Sequence, residues 1–191
     1  MRELTKKALM NSVVNILAEK PLDKITIKDI VDECGVNRST FYYYYEDIYA
    51  LLEDIFKTEI DNIVERHKDY TTWQDGFIES AEFVLKNKKA VYHVYNSMGR
   101  DYLENYLFKI TEDIMIKYVS EEAKDMAVSE DDIKFVALFY QYALKGFIMD
   151  WIKNNMKDDP KETVKKLAQT FDGSIKAALE KRVQPSKDHT I

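Results

Sequence analysis

Residues 38 to 45 read RSTFYYYY and place a guanidinium, two small hydroxyls and four consecutive tyrosines together. Arginine and hydroxyl side chains are groups that proteins use to hydrogen-bond phosphate oxygens and base edges. Neighbouring side chains in a helix are about 100° apart, so four consecutive tyrosines cannot all face one core. The run therefore indicates either a contact surface or a packing cluster, and packing suits Tyr45 well and Tyr43 poorly.

Enzyme chemistry has little support elsewhere in the sequence. There is no glycine-rich phosphate loop, no G-x-S-x-G and no H-E-x-x-H, and His67, His93 and His189 lack metal-ligand spacing. Cys34 is the single cysteine, which excludes an internal disulfide and suits a reducing compartment. We predict no enzyme, no metal and no cofactor. Turnover of a small molecule bound in the C-terminal half would favour the rival hypothesis of an enzyme.

Composition indicates a globular protein without a membrane span. The 191 residues carry a formal net charge of -6, so a polyanion partner would require positive charge concentrated on one face. The N-terminus lacks the apolar core of a signal peptide, and no stretch approaches the length of a membrane helix. We predict a cytoplasmic protein.

The elements that position these residues are predicted to be helices. Five glycines and three prolines interrupt the chain, and apolar residues recur at helical spacing without convincing strand alternation. The fold class predicted is all-α. Beyond a first helix around Leu9 and Val13, the longer predicted helices cover 47–68, 73–87, 89–97, 101–119, 130–155 and 161–180.

Residues 25 to 45 have the pattern of two short helices joined by a tight turn. Thr26 and Asp29 form a capping-box-like pair, and Gly35 is placed to end the first helix. Asn37 is predicted to cap the second helix through its side chain, and Phe41 is predicted to be buried. This is the pattern of a helix-turn-helix, whose second helix enters the DNA major groove. A generic helical hairpin is the alternative.

On these residues the chain resembles the TetR/AcrR transcriptional regulators. Residues 5–52 follow the family pattern, with TIKDIVDECGVN for T-x-x-x-I-A-x-x-A-G-V-S and TFYYYY for T-[LF]-Y-x-[HY]-F. Val31 and Cys34 replace the usual alanines, and Ile48 replaces a frequent lysine. The segment YNSMGRDYLENYLFKI is similar to a subgroup that includes dihydroxyacetone-kinase operon activators.

The resemblance implies a bacterial protein of about nine helices. It implies a helix-turn-helix DNA-binding domain at 1–48 and a helical effector-binding and dimerisation domain at 49–181. Residues 182–191 have no apolar period and are predicted to be a loose tail. Tyr42 and Tyr44 fall on positions that bind phosphates in the family, Tyr43 points into the groove, and Tyr45 occupies the family's buried aromatic position. The predicted DNA-binding residues are Lys24, Thr26, Lys28, Asn37, Arg38, Ser39, Thr40, Tyr42, Tyr43 and Tyr44.

Two alternatives stay open among these residues. Arg38 could read a guanine or hold a phosphate, and Lys24 and Lys28 could be solvated surface lysines.

The C-terminal half is predicted to enclose an effector and to form a homodimer, as the resemblance implies. Pocket candidates are His67, Trp73, Phe77, Tyr92, Tyr95, Tyr102, Tyr106 and Phe139. Dimer-interface candidates are Phe135, Tyr142, Gly146, Met149, Leu167, Phe171, Ile175 and Ala178. For either set the alternative is that a residue belongs to the subunit core.

The function expected is that of a homodimeric repressor on a palindromic double-stranded DNA operator, released by a small-molecule effector. The fourth helix, starting near Asp47, is the expected lever between effector and DNA. The alternatives are an activator controlled by a protein partner and a helical protein that binds DNA without sequence preference.

Overall fold

The computed structural model describes residues 2–66, 72–171 and 173–183, and within these ranges the chain forms α-helices and no strand. The prediction of an all-α fold is confirmed. The helices are α1 Arg2–Leu17, α2 Ile27–Cys34, α3 Arg38–Tyr44, α4 Ile48–Arg66, α5 Trp73–Lys86, α6 Lys88–Tyr95, α7 Arg100–Ala123, α8 Glu130–Lys153, α9 Pro160–Phe171 and α10 Ser174–Glu180. A short 3₁₀ turn, Leu22–Lys24, joins α1 to α2.

The predicted helix boundaries agree with the structure to within a few residues, with one division that was not predicted. The segment 161–180 was expected to be one helix, but it forms α9 and α10. Gly173 stands between them with φ 69°, a left-handed conformation that glycine adopts without steric cost. The described chain therefore has ten α-helices where about nine were expected.

The reading head, which we define as α1–α3, is built around residues that the sequence pattern identified. The capping box at the start of α2 is present: the Thr26 hydroxyl accepts from Asp29 N–H, and the Asp29 carboxylate accepts from Thr26 N–H. Gly35 ends α2 in the left-handed region at φ 71°. These two signals set where α2 begins and ends.

The remaining helices, α4–α10, form the regulatory half. Its centre is the pair α7 and α8, with α4 and α5 packed against α7, and α10 against both α7 and α8. The buried apolar side chains of the reading head and the regulatory half form one continuous cluster, from Leu9 to Leu179. The predicted functional division at residue 48 coincides with the start of α4 and stays a prediction.

Three residues predicted for the dimer interface lie in the subunit core. Leu167, Phe171 and Ile175 are buried, and the Phe171 ring packs against Trp73 and Tyr140. The prediction was wrong for these residues because near-heptad apolar spacing is the same for a helix that faces its own core and for one that faces a partner. Ala178 is half-buried on α10.

The predicted tail begins with a residue that the structure holds in place. Arg182 donates to the carbonyl oxygen of Ala178, lies 3.4 Å from an Asp132 carboxylate oxygen and stacks over Phe135. Residues 184–191 lie outside the described part of the chain. None of the helices described in the structure is both long enough and apolar enough to cross a membrane.

Candidate nucleic-acid interface

Helix α3 is fixed to the rest of the molecule by its inward-facing aromatic residues. Phe41 is completely buried, and Tyr45, directly after α3, is buried as well, as predicted. The Tyr45 hydroxyl donates to Asp54 on α4 at 2.6 Å, and Asp54 also pairs with Lys6 on α1 at 2.8 Å. Burial, followed by the Asp54 carboxylate, raises the pKa of Tyr45 far above its ordinary value, so this hydroxyl keeps its proton and remains a donor.

The other tyrosines of the run face outward to different degrees. Tyr43 is 67% exposed and Tyr42 is 49% exposed, whereas Tyr44 is half-buried. The rings of Tyr43 and Tyr44 meet edge to face, with centroids 5.0 Å apart. The run YYYY therefore divides into one core residue, two surface residues and one residue that packs partly against the core.

Arg38 and Tyr42 form a pair one helical turn apart on the outer face of α3. The guanidinium donates to the Tyr42 hydroxyl at 3.2 Å, and its central carbon lies 5.6 Å from the centre of the Tyr42 ring. A tyrosine hydroxyl that accepts from arginine still has its own hydrogen to donate. The pair can therefore hold Arg38 at the surface while Tyr42 donates to a phosphate oxygen.

The first turns of α2 and α3 differ from their predicted roles. Asn37 makes no side-chain capping bond; its carbonyl oxygen instead accepts from Thr40 N–H at 2.9 Å, so this part of the prediction was wrong. Thr26 was predicted to bind DNA, and its hydroxyl donates to Asp29 at 2.7 Å. Lys20 and then Thr26 hold the pKa of Asp29 well below its ordinary value, so a carboxylate stands at this helix start.

The remaining predicted DNA-binding side chains lie at the surface of the reading head. Lys28 is 79% exposed and pairs with Asp32 one turn along α2, a contact that raises the Lys28 pKa. Lys24 and Ser39 are exposed, and Thr40 is half-buried. The structure brings these residues and Arg38 onto the reading head, and their contacts with DNA stay predictions.

Two family models match the chain and together cover both halves. The model described as bacterial regulatory proteins, tetR family, matches residues 9–55. The model described as transcriptional regulator C-terminal region matches residues 71–173, more than half of the chain. The chain belongs to the TetR family. It is a transcriptional regulator and not an enzyme, as the sequence predicted.

Individual TetR-family relatives share low sequence identity with the chain. The dhaKLM operon transcriptional activator DhaS of Lactococcus lactis subsp. lactis (strain IL1403) is 22% identical over 85 residues, 44% of this chain and 46% of the relative. The regulator YvdT of Bacillus subtilis (strain 168) is 28% identical over 90 residues, again 46% of its length. The chain thus matches less than half the length of these curated relatives.

Solved structures of TetR-family regulators share the fold over most of their length. The dihydroxyacetone kinase operon activator DhaS superposes with a TM-score of 0.74 at 16% identity, over 94% of this chain and 98% of that one. FadR of Bacillus subtilis, in complex with stearoyl-CoA, superposes with a TM-score of 0.62 at 16% identity, over 85% of this chain and 95% of that one. NalD of Pseudomonas aeruginosa, a repressor of a multidrug efflux pump, superposes with a TM-score of 0.61 at 13% identity, over 89% of this chain and 95% of that one.

The outer face of α8 carries an exposed apolar surface, the α8 stripe, which we define as Phe135, Leu138, Phe139, Tyr142, Gly146 and Phe147. Phe139, Phe135 and Tyr142 are 66%, 58% and 58% exposed. Phe139 was predicted to line a pocket, and the structure corrects this because the side chain lies on the outer face. Leu138 and Phe147 were missed, although the helical spacing of Leu138 from Phe135 and Tyr142 could have indicated that residue. Met149 is half-buried beside the stripe.

The predicted pocket residues separate into several environments. Trp73, Phe77, Tyr95 and Tyr106 are buried, Tyr102 is half-buried and Tyr92 is exposed. His67 lies outside the described residues.

Two of these tyrosines pack against the expected lever. Tyr102 stacks on Tyr49 of α4 with centroids 5.8 Å apart, and Tyr106 packs on Phe56 of α4 at 4.8 Å.

A small cavity lies between α5, α7 and α8. Its space for water-sized molecules is ≈ 20 Å³, which is about enough for one water molecule. The lining includes Phe77, Ala81, Val84, Leu107, Ile148 and Trp151. One turn before Phe77, the Gln74 side-chain oxygen is buried without a hydrogen-bond partner among the described residues. Trp151, at the end of α8, was not predicted.

Proposed function

We propose that this TetR-family chain is a homodimeric, sequence-specific repressor that binds a palindromic operator and is released by a small-molecule effector. The observation that carries the proposal is the outer face of α3. Arg38, Tyr42 and Tyr43 project from this helix while Phe41 anchors it from beneath. A short, rigidly held helix with a guanidinium and hydroxyls at its surface is what direct reading of the major groove requires.

The α8 stripe supports the proposed dimer. Aromatic residues exposed along two or more turns of one helix form a contiguous apolar surface of the kind that marks an interaction site. A second copy of the chain would cover the stripe with its own stripe about a twofold axis. Such a dimer presents two α3 helices, and these match the two half-sites of a palindrome.

The cavity and the stacked aromatic pairs support control by an effector. The cavity lining is apolar apart from Ser80, so we propose an apolar effector. At ≈ 20 Å³ the cavity is too small for such a molecule, so binding must displace α5, α7 or α8. A shift of α7 would reach α4 through the Tyr49–Tyr102 and Phe56–Tyr106 contacts.

A second candidate function is activation of transcription, controlled by a protein partner. The likeness to DhaS favours it, because that relative is an operon activator and its fold matches almost the whole chain. The shared reading head serves either function, since a bound dimer can occlude or recruit polymerase.

Selection of genomic fragments by the purified protein tests the proposal. We expect a tight footprint with twofold symmetry, and transcription from the adjacent promoter that falls when the protein is added. A rise in transcription would support the activator instead. Weak retention of all fragments alike would contradict sequence-specific binding and favour a nonspecific DNA-binding protein.

The tyrosine hydroxyls are expected to contribute affinity without salt dependence. Tyr42→Phe and Tyr44→Phe should each lower operator affinity by about 1 kcal/mol per subunit, the usual net contribution of a hydrogen bond. The slope of log affinity against log salt should stay unchanged in both variants, because a hydroxyl releases no counterion. Lys28→Ala should make this slope shallower by about 2 per dimer, one phosphate on each half-site.

Titrations at several salt concentrations measure both quantities. Lys89→Ala is the matched control, because this exposed lysine lies on α6 and its loss should leave the slope unchanged. If both phenylalanine variants bind as tightly as the wild type, the tyrosine run is packing and the proposed phosphate contacts are wrong.

Gly146→Leu is expected to loosen the dimer while the subunit stays folded. A Cβ at Gly146 would have no neighbour within 4 Å in the subunit, so the added side chain starts in open space and would be crowded chiefly where another molecule covers α8. Overpacking in that interface should cost about 1 to 3 kcal/mol of dimer stability. Sedimentation across a concentration series measures this, and a variant that dimerises like the wild type would place Gly146 outside the interface.

A further inference from the structure

His93 makes a hydrogen bond that joins the regulatory half to the reading head. Its Nδ1 lies 2.7 Å from the carbonyl oxygen of Leu17, the last residue of α1 and 76 positions earlier in the chain. A carbonyl oxygen only accepts, so Nδ1 carries the hydrogen and donates it. The half-buried ring lies in the last turn of α6.

The Leu17 carbonyl is one of the groups that a helix end leaves without a partner. The last four carbonyls of a helix have no N–H to accept from within it. At the end of α1, the carbonyls of Val14, Asn15 and Ile16 accept from backbone N–H groups of residues 18–20. Leu17 accepts from His93. The capping of α1 is thus completed by a side chain of the regulatory half.

A second contact between the regulatory half and the reading head lies six residues after His93. Gly99 is buried at the start of α7, where a Cβ would lie 2.5 Å from Leu22 Cδ2 and 3.1 Å from Leu52 Cδ2. Leu22 belongs to the turn between α1 and α2, and Leu52 belongs to α4. Gly99 has φ −77°, so glycine is needed here for space and not for its backbone conformation.

We propose that His93 is a positioning residue for DNA binding, which fixes the carboxyl end of α1 to α6 and so sets the orientation of the reading head. Helix α6 also packs against α7 and α8, so it connects the proposed dimer helix and the cavity wall to α1. This route acts beside α4, which the sequence indicated as the lever. The inference rests on the proposed dimeric DNA-binding function, because orientation matters where two α3 helices must meet two half-sites.

Three variants distinguish a positioning role of His93 from a contribution to the stability of the folded protein. His93→Phe keeps a ring but removes the donor. His93→Asn supplies an amide N–H in place of the ring N–H, because the asparagine Nδ2 and the histidine Nδ1 are both bonded to Cγ. Asn96→Ala is the matched control, because it removes a side-chain hydrogen bond of 2.8 Å that stays within the end of α6.

Binding is measured with a duplex that the wild-type protein selects from a random-sequence library. We expect His93→Phe to bind this duplex about 3- to 10-fold more weakly, the effect of one lost hydrogen bond. His93→Asn and Asn96→Ala should bind like the wild type.

Orientation is measured without DNA. A nitroxide is attached to a cysteine introduced by Asn11→Cys, at an exposed position on α1. Cys34→Ser removes the natural cysteine, so that each subunit carries one label. Pulsed electron paramagnetic resonance then gives the distance between the two reading heads. We expect a broader distance distribution in His93→Phe than in the wild type, and a wild-type distribution in His93→Asn. A purely stabilising role would lower the melting temperature and leave both the affinity of folded protein and this distribution unchanged.

Each outcome decides a different point. If His93→Phe keeps wild-type affinity and a wild-type distance distribution, the positioning role is overturned while the proposed function stands. If the wild type itself selects no duplex or gives no distance between subunits, the proposed function is overturned and the inference with it.

Discussion

Phe139→Glu is expected to dissociate the dimer and to abolish operator binding at concentrations where the wild-type protein is dimeric. Phe139 is 66% exposed at the centre of the α8 stripe, so the substitution leaves the core of the subunit untouched. In a dimer the new carboxylate would be buried without a partner, at a cost of about 3 to 5 kcal/mol. A twofold dimer buries two such carboxylates, so its dissociation constant should rise by at least about 10²- to 10³-fold.

Met98→Glu is the matched control for this variant. Met98 is an apolar residue that is 78% exposed in the turn before α7, away from the α8 stripe. We expect Met98→Glu to stay dimeric and to bind DNA normally. Sedimentation and thermal melting measure assembly and folding separately. A Phe139→Glu protein that remains dimeric at low concentration would show that α8 is not the interface.

Arg38→Ala is expected to weaken operator binding by roughly 1 to 3 kcal/mol at each half-site. The physical reason is the loss of a guanidinium that Tyr42 holds at the outer face of α3. If Arg38 reads a guanine, the preference for one base pair in each half-site should disappear. Binding to operators substituted at every position measures both effects.

Arg38→Lys distinguishes the two roles that the sequence left open. Lysine keeps the charge but cannot make the paired hydrogen bonds of a guanidinium. A phosphate contact should survive this change in part, with equal weakening on every operator variant. A guanine contact should be lost at one position only. Wild-type affinity in Arg38→Ala would remove Arg38 from the interface altogether.

The sequence by itself determined the architecture of the reading head. Thr26 with Asp29 and the glycine at position 35 specify where α2 begins and ends, and all three have the predicted conformation or contact. The burial of Phe41 also followed from its place in the helix pattern, and the burial of Tyr45 followed from the family resemblance. These features were predictable because capping, turn conformation and helical periodicity act between residues that are close in sequence.

Packing beyond the local helix was decided by the tertiary structure alone. Apolar spacing identified a buried face on α9 but not whether the subunit or a partner covers it, and Leu167 and Phe171 proved to be core residues. The same ambiguity affected Phe139, which was placed in a pocket but lies on the outer face of α8. Spacing along a helix defines directions around its own axis, whereas the neighbour in each direction depends on how all the helices assemble.

The contact between His93 and Leu17 had no signal in the sequence. A histidine on α6 carries no information about a carbonyl oxygen 76 residues earlier, because backbone acceptors are the same at every position. Only the packing of α6 against α1 selects this carbonyl from the others. The sequence therefore specified most of the helices and the surface that we propose to face DNA, whereas the contacts that connect the two halves depend on the three-dimensional arrangement of elements distant in the chain.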